Sequence, residues 1–306
     1  MELDRLHVNL AGIQLANPTM LASGALGYSS QMLRRISGSG AGAVVTKSVG
    51  AKAREGYPNP TVVQGNCGLI NAVGLPNPGI EAFVAEIRET KASLVVPVIV
   101  SVYGFSTKEY VTVAQKAVKA GADAIELNVS CPHVKETGSE IGQNPQILSE
   151  VVAGVKKIVH KPVFVKLSPN VTSVTEVAEA AVKAGADGLT LVNTVKAMAI
   201  DVEMALPVLA NRVGGLSGEA VKPIAVRAVY DVYEHVKVPI IGCGGIGDWK
   251  DAVEFLLAGA CAVQIGTAIA TKGLKVFSSV TNGIGAYLRK RNLKSVNDIV
   301  GLSHCC

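Results

Sequence analysis

Along this chain, short all-apolar runs alternate with longer stretches in which apolar residues recur every three or four positions. Eight short runs stand out: Thr19–Ala22, Ala43–Thr46, Pro97–Val102, Ala124–Asn128, Val163–Leu167, Leu189–Asn193, Pro239–Gly242 and Ala262–Gly266. Runs of this length, bounded by glycine or polar positions, read as strands buried on both faces. Between them, Ser106–Ala120, Pro145–His160, Val174–Ala184, Ala220–His235 and Trp249–Ala258 carry helical spacing. An internal echo fixes the period. Lys119-Ala120-Gly121-Ala122-Asp123-Ala124-Ile125 returns as Lys183-Ala184-Gly185-Ala186-Asp187-Gly188-Leu189, and more loosely as Ala258-Gly259-Ala260-Cys261-Ala262-Val263. Each copy reads as a helix end, a glycine C-cap and a buried strand. The first two begin at Lys119 and Lys183, a separation that fits two βα units of about 30 residues each. Eight β units alternating with helices predict an α/β fold of the (β/α)8 TIM-barrel type, one domain over residues 1–306. A doubly wound open sheet is the rival, but no Gly-x-Gly-x-x-Gly opens the chain. Residues 48–78 and 194–219 break the rhythm and read as long loops after strands two and six.

Composition narrows the function classes. The 306 residues are 49% hydrophobic, with 32 glycines and only 4% aromatics, as buried parallel strands and tight βα turns require. A net charge of +5 with no basic cluster interleaved with aromatics disfavours nucleic acid as a partner. The densest basic run, Arg289-Lys290-Arg291, reads as a solvated helix end. Asp4 and Arg5 interrupt any signal-peptide pattern, and no apolar run reaches the ~18 residues of a membrane span. The expectation is a soluble, cytoplasmic protein without a membrane contact. None of Cys67, Cys131, Cys243, Cys261, Cys305 and Cys306 forms a Cys-x-x-Cys pair, which disfavours a metal site or a self-held iron–sulfur cluster.

In a barrel the strand ends meet on one rim. Here that rim would gather Ser23, Lys47, Ser48, Ser101, Asn128, Ser130, Cys131, Lys166, Val192, Asn193, Thr194, Gly244, Gly245, Gly266 and Thr267. Lys166 lies between apolar Val165 and Leu167, and Lys47 follows Val44-Val45. A buried ammonium needs an anionic or strongly accepting partner. Each lysine therefore either pairs with a core carboxylate, of which Glu126 is the clearest, or faces a ligand. Glycine pairs after strands seven and eight suit a phosphate held by backbone N–H groups, and Gly214-Gly215-Leu216-Ser217-Gly218 could extend the cradle. The plainer reading of these glycines is tight turns at positive φ. Cys131 is by default an inert thiol. Beside two lysine-bearing strands, its pKa of about 8.5 would fall and make it a usable base or nucleophile. His133 reads as a nearby loop residue.

Taken together and in order, these motifs resemble the class 1 dihydroorotate dehydrogenases, flavin enzymes of pyrimidine synthesis, and in particular class 1B. The resemblance covers nearly the whole chain. It rests on Asn17-Pro18 with Ala22-Ser23-Gly24, Thr46-Lys47-Ser48, Asn71-Ala72-Val73-Gly74-Leu75-Pro76-Asn77-Pro78-Gly79, Asn128-Val129-Ser130-Cys131-Pro132, Val165-Lys166-Leu167-Ser168-Pro169-Asn170, Gly214-Gly215-Leu216-Ser217-Gly218 and Gly244-Gly245-Ile246. It implies one FMN per chain and oxidation of (S)-dihydroorotate to orotate. Cys131 would take the C5 proton while a hydride passes from C6 to N5 of the flavin. Lys47 would touch substrate and flavin; Asn71, Ala72, Val73, Gly74, Leu75, Asn128, Asn193 and Thr194 would hold the substrate. Lys166 would face the N1–O2 edge of the flavin and stabilise its anionic reduced form. Ser23, Ser48, Ser101, Asn128, Val192 and Gly218 would line the cofactor, and Gly244, Gly245, Gly266 and Thr267 would hold its phosphate.

The class 2 enzymes carry serine at the place of Cys131 and an N-terminal membrane or targeting segment. Ser101 stands where many class 1B members have asparagine, and Ser303-His304-Cys305-Cys306 matches no family role. The resemblance further implies a partner subunit with FAD and a [2Fe–2S] cluster that passes electrons to NAD. The catalytic chains would form a homodimer within a heterotetramer. Three other readings remain at this point: a flavin enzyme reducing uracil or thymine, a fumarate-using class 1A enzyme, and a non-catalytic phosphate-binding barrel.

Overall fold

The computed structural model describes residues 3–129 and 141–305. Ser130, Cys131, Pro132, His133 and Cys306 lie outside them. Eight parallel strands close a barrel: β1 Thr19–Leu21, β2 Ala43–Val45, β3 Val98–Val102, β4 Ala124–Asn128, β5 Val163–Leu167, β6 Gly188–Leu191, β7 Ile240–Cys243 and β8 Ala262–Ile265. The ring closes where Gln264 of β8 pairs with Met20 of β1. Every residue of these strands is buried, which is why they appear in the sequence as unbroken apolar runs. All eight lie within two residues of the bounds expected from the sequence.

Around the barrel stand α1 Ser30–Gly38, α2 Ile80–Ser93, α3 Thr107–Ala120, α4 Pro145–Ile158, α5 Val174–Lys183, α6 Lys222–His235, α7 Trp249–Leu257 and α8 Val276–Lys290. Local chemistry sets their ends. Ser106 caps α3 by accepting from the Glu109 amide, and Asn144 caps α4 ahead of Pro145. Asp248 and Asp251 form a capping box at the start of α7. The apolar pattern did not reveal α1, α2 or α8. Helix α1 buries only Ser30, Leu33 and Ile36, and α8 carries Gly283 and Gly285, which lower helix propensity. A Cβ on Gly283 would sit 2.3 Å from Trp249 side-chain atoms, so packing against α7 outweighs propensity there.

The echoed segment has one structural meaning. The amides of Asp123, Asp187 and Cys261 donate to the carbonyls of Val98, Val163 and Ile240, which fixes each new strand against the start of its predecessor. In the two aspartate copies the carboxylate also accepts from the amide at that start and from a helix lysine. Asp123 Oδ2 takes Val98 N at 2.8 Å and Lys91 Nζ at 2.6 Å. Asp187 Oδ2 takes Val163 N at 2.7 Å and Lys156 Nζ at 2.6 Å.

The stretches expected as loops are in part a sheet. Residues 48–78 contain a hairpin, Val62–Gly65 with Gly68–Asn71, and residues 194–219 supply Val195–Met198 and Val213–Ser217. The two excursions pair antiparallel through Gly215↔Asn71, Leu216↔Ile70 and Ser217↔Leu69, making one four-stranded sheet. Ile70, Ala72 and Leu209 form its own small core. Since both excursions leave strand ends, the sheet stands over the C-terminal mouth of the barrel. Neither segment could be recognised as strand alone, because the pairing joins residues far apart in sequence. At the other end of the chain, His304 stacks on Tyr230 at 3.8 Å and bonds with the Ala258 carbonyl, pinning the tail to α6 and α7.

Candidate active site

Under the roof sheet lies a cavity of about 710 Å³, bounded by the ends of the barrel strands and both excursions. Lys47 reaches it from the end of β2 and Lys166 from β5; they are 8% and 3% exposed, so neither charge is a surface charge. The Lys47 ammonium lies 5.3 Å from the ring centre of Tyr28, within range of a cation–π contact. Lys166 Nζ donates to Gln264 Oε1 at 3.0 Å and to Ser23 Oγ at 3.4 Å. Burial works against the Lys166 charge. The sulfur of Cys243 and the carboxylate of Glu126 outweigh it and lift the lysine pKa above its ordinary value. Burial likewise pushes the Cys243 thiol up, and the nearby ammonium offsets this only in part.

The amides form a second cluster. Asn128 Nδ2 donates to Ser48 Oγ at 3.0 Å, and Asn193 Nδ2 donates to Asn128 Oδ1 at 3.3 Å. Asn193 Oδ1 in turn accepts from the Thr194 amide. Asn71 is held in the roof by donating to the Gly215 carbonyl. Around this cluster the loops are tied down by polar side chains behind the wall. Asn77 accepts from the Gly50 and Gly79 amides and donates to Leu75 O and Tyr103 Oη, so it joins three segments. Arg54 Nε donates to Gly74 O, and Asn170 Nδ2 donates to Thr194 O.

A glycine surface closes the far wall. Gly245 has φ +75°, and a Cβ there would meet Lys222 Cβ at 2.8 Å and Gly218 O at 2.9 Å. Gly218 has φ +103°, and its Cβ would meet Gly68 Cα at 2.7 Å. Both positions therefore require glycine for conformation and for close approach. Thr267, whose hydroxyl donates to Ser217 Oγ at 2.8 Å, continues this surface from the end of β8.

Of the residues expected at the site, Ser23, Lys47, Ser48, Asn71, Val73, Gly74, Leu75, Asn128, Lys166, Val192, Asn193, Thr194, Gly218, Gly244, Gly245, Gly266 and Thr267 line this cavity. Two do not. The Ala72 side chain is turned into the small core of the roof. Ser101 is fully buried and bonds to Ser48 Oγ at 2.9 Å, so it reaches the cavity only through Ser48. Cys131 lies outside the described residues. Cys243, Gln264 and Tyr28 also line the wall and were not singled out in the sequence. Gln264 had a signal, a polar residue inside the apolar strand Ala262-Val263-Gln264-Ile265. Tyr28 had none.

Eight parallel strands closed in a ring, with a cavity at their C-terminal ends, place the protein among the (β/α)8 barrels. Among these, the chain belongs to the dihydroorotate dehydrogenase family, whose model matches residues 5–288. It is 52% identical to a Pyrococcus abyssi protein over 97% of this chain and 99% of that one. Identity to a Methanosarcina acetivorans protein is 47% over 97% and 95% of the two chains. To a Methanocaldococcus jannaschii protein it is 47% over 98% of each. All three carry the name dihydroorotate dehydrogenase B (NAD(+)), catalytic subunit. No helix among the described residues is long and apolar enough to cross a membrane.

Proposed function

We propose that this chain is an FMN-bearing catalytic subunit that oxidises (S)-dihydroorotate to orotate in pyrimidine biosynthesis, with residues 1–306 forming one FMN-binding barrel domain in the cytoplasm. The observation that carries the reading is the meeting of Lys47, Lys166, Asn128 and Asn193, from four separate strand ends, around one cavity in a member of this family. The site suits FMN on its own features. Its volume is that of a cofactor pocket. Gly218 and Gly245 line the wall at positions that exclude a side chain, and a bare backbone wall of this kind suits a phosphate. A buried ammonium, Lys166, stands in the wall as a fixed positive charge.

When bound, FMN supplies the acceptor for the hydride that leaves C6 of the substrate. The chain's own residues do the rest. Lys47 binds the substrate carboxylate and touches the cofactor. Asn71, Asn128, Asn193 and Thr194, with the backbone from Val73 to Leu75, orient the pyrimidine ring, because amides donate and accept at once. Ala72 contributes through its neighbours rather than its side chain. Lys166 would stand as a fixed positive charge beside the bound flavin and favour its anionic reduced form. Ser23, Ser48, Val192 and Gly218 line the cofactor, with Ser101 behind Ser48; Gly244, Gly245, Gly266 and Thr267 hold the phosphate. Cys131 takes the proton from C5. A partner subunit bearing FAD and [2Fe–2S] would carry the electrons on to NAD. The relatives' names, which combine "catalytic subunit" with NAD(+), support a partner subunit and NAD as the acceptor. The test is anaerobic addition of dihydroorotate to the purified yellow protein. Bleaching of the visible flavin band with one orotate formed per flavin is expected. A colourless protein, or equal bleaching by dihydrouracil, would sink the reading.

The homodimer has a candidate surface. The hairpin Ile200–Asp201 with Leu206–Pro207 exposes Ile200, Val202, Met204 and Leu206, and Met198 at the end of the preceding strand is exposed as well, with Val202 84% and Met204 68% exposed. A group of exposed apolar residues this close in sequence is a candidate contact surface, and we assign it to a second copy of the chain. Val202→Asp with Met204→Asp should convert the dimer to a monomer in sedimentation. A dimer that survives both changes places the contact elsewhere.

A further inference from the structure

The interior of a (β/α)8 barrel is normally filled by branched apolar side chains, in layers drawn from alternate strands. Here alternate strands contribute Glu126 from β4, Thr190 from β6 and Gln264 from β8, none more than 1% exposed. A buried carboxylate is costly unless it is paired and hydrogen-bonded. Glu126 Oε2 accepts from Gln264 Nε2 at 2.6 Å and from Thr190 Oγ1 at 3.2 Å. Its other oxygen has no hydrogen-bond partner among the described residues. The nearest continuation of this network is a charge of opposite sign, because Gln264 Oε1 accepts from Lys166 Nζ. The amide can face only one way. Reversed, it would set its NH2 against an ammonium and its carbonyl against a carboxylate.

We propose that Glu126, acting through Gln264, is the buried counter-charge that sets how much positive field Lys166 presents to the flavin. The inference rests on the FMN reading above. Glu126 touches neither substrate nor cofactor and is a positioning residue. Joined by a single amide, the two charges act as a dipole with its positive end at the cavity wall and its negative end one layer deeper. The field at the cavity is weaker than that of a lone ammonium. Removing the negative end, while Ser23 and Gln264 still accept from the lysine, exposes the flavin to the whole charge.

The test measures the flavin midpoint potential and the dissociation constant for sulfite in FMN-loaded protein at pH 7. Glu126→Gln, an isosteric neutral variant, is expected to shift the two-electron equilibrium about tenfold toward reduction, about 30 mV upward. Sulfite should bind about tenfold more tightly. Lys166→Met should move both readouts the other way. Thr190→Val removes one of the hydrogen bonds that fix the carboxylate beside Gln264 and so weakens the counter-charge. It is expected to act with the same sign at about threefold, about 15 mV, and it serves if Glu126→Gln does not accumulate. A merely structural role for Glu126 would leave the potential alone. An unchanged or lowered potential in Glu126→Gln with FMN retained, or in Thr190→Val should that variant be the one available, overturns the proposal. Parental protein that binds no FMN is a different result: it overturns the flavin reading and this inference with it.

Discussion

The two ends of the barrel treat charge in opposite ways. At the N-terminal end, Asp123 and Asp187 each meet a backbone amide and a helix lysine within 2.8 Å, so each charge is paired within the fold. At the C-terminal end, Lys47 and Lys166 are more deeply buried than those helix lysines, yet both line an open cavity. The same residue types thus clamp strand ends at one end and line the cavity at the other. What differs is whether the charge is closed by its own fold. The third copy of the repeated turn sharpens the point. Cys261 stands where the other copies have aspartate, and burial pushes its thiol up to about 12, so it is neutral and makes no ion pair. Its backbone bond to Ile240 persists. The strand register therefore needs the backbone bond, while the charged clamp is an added stabiliser.

The largest effect that this contrast predicts is at the mouth. Cys131→Ala should lower turnover about 10²–10⁴-fold, the usual worth of a general base, while the melting temperature and bound FMN stay at parental values. Turnover equal to the parent would remove Cys131 from the proposed chemistry. At the opposite end the pattern should invert. Asp123→Ala and Asp187→Ala should each cost about 1.5–3 kcal/mol, the range for hydrogen bonds to charged groups. Turnover per folded molecule should be unchanged. The two losses should add, since the turns share no partner. Denaturant melts paired with steady-state rates read both quantities. A clamp variant that lost activity while keeping its stability would erase the distinction between the ends.

The same contrast explains what could be read from the sequence. The barrel was legible because each buried strand is an apolar run and the Gly-Ala-Asp turn repeats. Both are local signals. The cavity wall was legible as a set of strand ends, since a polar residue following Val44-Val45 or lying between Val165 and Leu167 has few other uses. What stayed hidden depends on partners distant in sequence. The roof sheet requires Asn71 to find Gly215. Ala72 sits among the cavity-lining residues Asn71, Val73, Gly74 and Leu75, yet its side chain is taken by the roof's core. Glu126 was visible as a carboxylate, but its amide link to Lys166 runs through Gln264, on the strand that closes the ring.

One residue crosses the divide and gives the smallest predicted effect. Asp251 is at the start of α7, on the mouth side, yet it works like the clamps below. Its Oδ2 accepts from the Gly247 amide at 2.9 Å and the Asp248 amide at 3.0 Å, while Oδ1 takes Lys222 Nζ at 2.9 Å. Burial alone would raise the pKa of its carboxyl, but Lys222 and the two amides overcome this and hold it below the ordinary value. A depressed carboxylate stabilises the fold above its unfolded pKa of about 3.9. That contribution is lost as the pH falls through the lower folded value. Asp251→Asn keeps an acceptor in place and removes the charge, so the expected cost at pH 7 is modest, about 0.5–1.5 kcal/mol. The gap between parent and variant should narrow as the pH drops below about 4 and close once both pKa values are passed. Because Asp251 also fixes the turn that follows Gly244-Gly245, the variant should release FMN several-fold more readily while turnover of the loaded form is kept. A stability gap that stayed the same between pH 7 and pH 3 would show that the charge of Asp251 was not its source. FMN retention at the parental level would confine its role to the scaffold.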